Sequence, residues 1–78
     1  MEFRVSQESP ITAQQVQDGE HLLLPLMAGV AEVRIVSASQ AGPNRTISAR
    51  EIDHDGRTSR KSVKLHFNDR GVIDRITY

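Results

Sequence analysis

Cysteine and tryptophan are both missing from these 78 residues, and the aromatic set is Phe3, Phe67 and Tyr78 alone. Without cysteine no disulfide can form and no thiolate can hold a metal. The core has to be assembled from Val, Ile and Leu. A chain of this length buries only about 60% of the surface its unfolded form exposes. A thin core without staples points to a homodimer, a higher homo-oligomer or stabilisation by a partner.

An excess of charge is missing as well, since ten Lys and Arg balance ten Asp and Glu. That argues against a strong general polyanion binder. The balance hides an asymmetry. Residues 1–40 carry two basic side chains (Arg4, Arg34) against five acidic ones, and residues 41–78 carry eight basic against five acidic.

Long apolar runs are absent too. The longest, Leu22 to Ala31, is about half of what a membrane-spanning helix needs, and Pro25 and Gly29 interrupt it. The opening Met1-Glu2-Phe3-Arg4-Val5 lacks the apolar centre of a signal peptide. The expectation is a cytoplasmic protein without membrane contact. Asn44-Arg45-Thr46 fits a glycosylation acceptor, and without an export signal it reads as chance.

What is present is β periodicity. Met1, Phe3 and Val5 alternate with Glu2, Arg4 and Ser6, a short first strand. Ser9-Pro10 breaks it. Thr12 can cap one short helix near residues 12–18, with Ile11 and Val16 spaced as a hydrophobic staple and Asp18-Gly19 as its end. His21 to Leu26 reads as an edge strand or bulge because of Pro25. After a turn at Met27 to Gly29, Ala31, Val33 and Ile35 alternate with Glu32 and Arg34 in a strand running to about Ala38. Val36 breaks the alternation and suggests burial on both faces there. Gly42-Pro43-Asn44 marks a loop, Arg45 to Ile52 a strand with a bulge near Glu51, and Asp53 to Gly56 a turn.

The clearest element is the closing hairpin. Val63, Leu65 and Phe67 alternate with Ser62, Lys64 and His66, and Val72, Ile73, Ile76 and Tyr78 follow the turn Asn68-Asp69-Arg70-Gly71. A type I turn ending with Gly71 in the left-handed region matches strand twist. The fold class is therefore mainly β: one domain over residues 1–78, a small antiparallel sheet or barrel of five to six strands with one short helix.

Two surfaces stand out as candidate sites. The segment Arg57-Thr58-Ser59-Arg60-Lys61-Ser62-Val63-Lys64 is basic and rich in hydroxyls. Arg and Lys can grip phosphate or carboxylate there. If pairing brings Arg45 and Arg50 to the same side, the basic contact patch is Arg45, Arg50, Arg57, Arg60, Lys61 and Lys64. The plainer alternative is a solvated loop that keeps a β protein soluble. The second surface is apolar. Three consecutive leucines on a strand cannot all point inward, so Leu23 should emerge if Leu22 and Leu24 are buried. With Leu26 and Met27 it would form an oligomer or partner contact, although core packing is the simpler role for this run.

Other chemistry is thin. His54 lies between Asp53 and Asp55, but His21 and His66 sit at no metal-ligand spacing, so no metal site is expected. There is no nucleophile elbow, no phosphate-cradling glycine loop and no dinucleotide fingerprint. The expectation is a protein that is not an enzyme and needs no cofactor. It would act through macromolecular contacts, chiefly with a protein partner, as a compact regulator or inhibitor of bacterial or phage type. The alternatives are a nucleic-acid-binding small barrel, hampered by having three aromatics for stacking, and a small subunit of a larger assembly, such as that of a phage.

Overall fold

Buried and exposed side chains alternate along the strands of the computed structural model, which describes Met1–Tyr78. The elements are β1 (Glu2–Arg4), a 3-10 turn (Ala13–Gln15), β2 (His21–Leu26), β3 (Gly29–Ile35), β4 (Thr46–Ile52), β5 (Thr58–Phe67) and β6 (Ile73–Thr77). All neighbours are antiparallel, in the order β1-β6-β5-β4-β3-β2. Consecutive strands from β2 to β6 are neighbours, and β1 is added beside β6.

The sheet curls into a half-barrel. Its two edge strands come together at one place, where Val5 bridges Leu26 and the Ser6 N–H donates to the Pro25 carbonyl at 2.8 Å. This seam is the only pairing between the β1 and β2 sides. Leu24, Val33, Ile35, Ala49, Val63, Leu65, Ile73 and Ile76 point into the curl and are almost wholly buried. Val5, Val16, Ile47 and Phe67 complete the core. Burying each large aliphatic side chain contributes about 1.5–3 kcal/mol, so the strand alternation supplies the main driving force without any covalent staple.

The anticipated helix is the single 3-10 turn, in which the Thr12 N–H donates to Gln15 Oε1 at 2.8 Å. It is held to the sheet because Ala13 N–H donates to the Gly71 carbonyl and Ile73 N–H to the Ile11 carbonyl. Three residues gain too little from propagation to stand alone. The bulge near Glu51 is present as a register shift between Arg50 and Ile52. The closing turn also forms as expected. Gly71 has φ 75°, its N–H reaches the Asn68 carbonyl, and Asn68 Oδ1 accepts from the Arg70 and Val72 N–H groups.

Val36 overturns its expectation. It lies just past the end of β3 and is 52% exposed. Its N–H pairs with the Ser48 carbonyl, and its position places it on the outer face, where no second layer covers the sheet.

Candidate functional site

Strand register determines which charges meet on the outer face. One row runs Arg4, Arg75, His66 and Thr46 across β1, β6, β5 and β4. The next runs Glu2, Thr77, Lys64 and Ser48. A third runs Ser62, Arg50, Arg34 and His21 across β5, β4, β3 and β2. Five cations, Arg4, Arg34, Arg50, Lys64 and Arg75, thus share one exposed face.

Their partners are few. Arg75 Nη1 pairs with Glu2 Oε1 at 2.9 Å, the only ion pair made by any Arg or Lys. Lys64 Nζ donates to Ser48 Oγ at 2.8 Å, and Arg50 Nη1 to the Arg60 carbonyl at 3.0 Å. Arg34 and Arg50 stand directly opposite each other, an arrangement of like charges that costs stability unless an anion lies between them. Both line an open cleft of about 580 Å³ with Asp18, Gly19, Thr58 and Ser59.

His66 is half-buried in this face. Nδ1 lies 3.0 Å from Thr46 Oγ1 and Nε2 lies 2.7 Å from Thr77 Oγ1. Burial, then the Arg75 charge, hold its pKa below the ordinary 6.5, against smaller opposite pulls from Glu2 and Asp74. The imidazole is therefore kept neutral at pH 7, one nitrogen donating and the other accepting.

The six basic residues singled out in the sequence do not form a single patch. Arg50 and Lys64 belong to the outer face, and Arg60 shares their strand parity on β5. Arg57 sits in the turn before β5, where its N–H is held by Asp53 Oδ1. Arg45 lies in the preceding loop with its guanidinium on Gln40 Oε1 at 2.6 Å. Lys61 has the inward parity of Val63 and Leu65 and emerges in a different cleft. There it meets Phe3, Glu51, Ile52 and Tyr78 at the open mouth of the half-barrel, a space of about 560 Å³. Phe3 and Tyr78 pack edge-to-face at 5.8 Å. Burial pushes the Tyr78 hydroxyl pKa up, and the charge and hydrogen bond of Glu51 add to it.

Arg4, Arg34 and Arg75 were missed as members of the basic face. The parity of Arg34 within β3 was legible, but its position opposite Arg50 follows from pairing across a ten-residue connection. Of the apolar residues, Leu23 is 62% exposed and Met27, at the β2–β3 hairpin tip, is 99% exposed, while Leu26 is half-buried against the core and the seam. No three His, Asp or Glu side chains converge as a metal site, and no helix is long and apolar enough to cross a membrane. No known protein family, curated protein or solved structure matches the chain at a significant level.

Proposed function

We propose that this chain is a small non-enzymatic binding module, with a regulatory role, that recognises an acidic protein surface through the outer face of β3, β4 and β5. The observation that carries this reading is the facing pair Arg34 and Arg50, which with Lys64 has no carboxylate partner. A rigid sheet holds these cations at fixed spacing, which lowers the ordering cost of binding. Charge complementarity then supplies specificity and speed of encounter. The cytoplasm is the setting we assign to it. Leu23 and Met27 offer a second, apolar contact for self-association.

Nucleic acid is the weaker reading. Single-strand binders stack bases on aromatics beside the basic track. Here Phe67 is buried and Phe3 and Tyr78 lie at the mouth, so the basic face carries no aromatic.

The test compares two triple variants in nuclease-treated lysate of the source organism, with bound proteins identified by mass spectrometry. Arg34→Gln, Arg50→Gln and Lys64→Gln together should abolish capture of the partner while the melting temperature holds. Arg57→Gln, Arg60→Gln and Lys61→Gln together should weaken it less. Undiminished capture by the first variant, or capture that disappears with nuclease, would overturn the reading.

A further inference from the structure

We infer that the cleft between Arg34 and Arg50 is a binding subsite for a single phosphate monoester, the phosphorylated serine or threonine of a protein partner. The inference rests on the proposed reading of the outer face and names the group that this face grips.

The donors around the cleft are complementary to a compact dianion. The two guanidinium groups come from adjacent strands, and Arg34 Nη2 is 3.7 Å from where a Cβ on Gly19 would sit. That is an ordinary contact distance, so the guanidinium lies beside the Gly19 backbone, and the φ of 76° there favours glycine. Arg50 is steadied by the bond from Nη1 to the Arg60 carbonyl, which leaves its other N–H groups free. Ser59 Oγ accepts from the Lys61 N–H at 3.1 Å, so its own hydrogen remains available. Thr58 lines the same cleft. Two planar cations and the Ser59 hydroxyl can satisfy several oxygens at once, which a carboxylate would use less fully than a phosphate.

Asp18 argues for one phosphate rather than a chain of them. It lines the cleft, and its Oδ1 is taken by the Ala38 N–H at 2.6 Å. Its charge opposes any second phosphate that a nucleic-acid strand would bring alongside.

The experiment follows amide shifts of the isolated protein by NMR during titration with three probes: an end-blocked Gly-phosphoserine-Gly peptide, the same peptide unphosphorylated, and a thymidine dinucleotide. The phosphopeptide should give saturable shifts centred on Gly19, Arg34, Arg50, Thr58 and Ser59, and the unphosphorylated peptide none. Arg34→Gln and Arg50→Gln should each weaken binding about tenfold or more. Neither should lower the melting temperature, because each relieves a like-charge pair. Asp18→Asn keeps the acceptor for Ala38 and should tighten binding several-fold, a gain that misfolding cannot mimic. Absence of saturation, or affinity indifferent to Arg34→Gln and Asp18→Asn, would sink the proposal. Equal affinity for the dinucleotide would overturn it in favour of nucleic acid. Failure here, with lysate capture still dependent on Arg34, Arg50 and Lys64, removes the phosphate subsite alone, whereas capture indifferent to those three residues removes the wider reading.

Discussion

At the scale of single residues, His66 links the basic face to stability. Its pKa lies below 6.5 in the folded chain because burial and Arg75 disfavour the imidazolium, with Glu2 and Asp74 pulling the other way. The unfolded chain therefore binds the proton more readily in the interval beneath 6.5. Stability from this group is complete above that value and is lost as the pH falls through the folded pKa. Protonation would also convert the accepting nitrogen into a second donor between Thr46 and Thr77. Melting temperature should fall between pH 7.5 and 5. In His66→Gln the fall should be shallower, and an unchanged pH profile in that variant would rule out His66 as its source.

At the scale of elements, the closing hairpin turns on Gly71. Its φ of 75° is strained for a β-branched residue, whereas the space is not limiting, since a Cβ there would sit at an ordinary contact distance of 3.6 Å from the Pro43 ring. Gly71→Val should cost about 1–3 kcal/mol in urea denaturation, while Gly71→Asn should cost less because Asn tolerates the left-handed region. A loss in Gly71→Val no larger than in Gly71→Asn would show that the turn is not constrained by this residue. The hairpin was legible in the sequence because both of its signals are local: a period of two, and a turn made from four consecutive residues. The bulge at Glu51 was legible for the same reason, since Ile52 breaks the parity of Ile47 and Ala49. Lys61 was misjudged because it was grouped with its neighbours in the chain. Its parity with Val63 already assigned it to the other side. Val36 misled because an apolar residue past a strand end resembles a doubly buried one until the uncovered outer face is known.

At the scale of the whole molecule, what the sequence withheld was closure. β1 and β6 lie at opposite ends of the chain, and nothing in their periodicity says that Phe3 pairs with Ile76. The rows of the basic face depend on that pairing and on β3 meeting β4, so three of its five cations went unnoticed. The seam is the weakest part of the resulting half-barrel. Val5 meets Leu26 there by a single bridge, whereas β4 and β5 pair over most of their length. Local opening draws on the least-paired parts of a fold first. The Ser6 amide should therefore exchange with deuterium by seam opening, orders of magnitude faster than Val63 or Leu65. Equal protection at these three sites, read by NMR, would show that the seam opens only with global unfolding.

Pro25 gives the seam a further consequence. Its carbonyl accepts the Ser6 N–H, so its nitrogen faces the same edge and has no hydrogen to return. The reciprocal bond that would extend a ladder there cannot form. The edge is thus interrupted where a stranger's strand would have to join it, and the proline acts as a guard against runaway stacking of copies into fibres. The missing hydrogen that leaves the seam one bond short also removes a donor from the edge that a second copy would pair with.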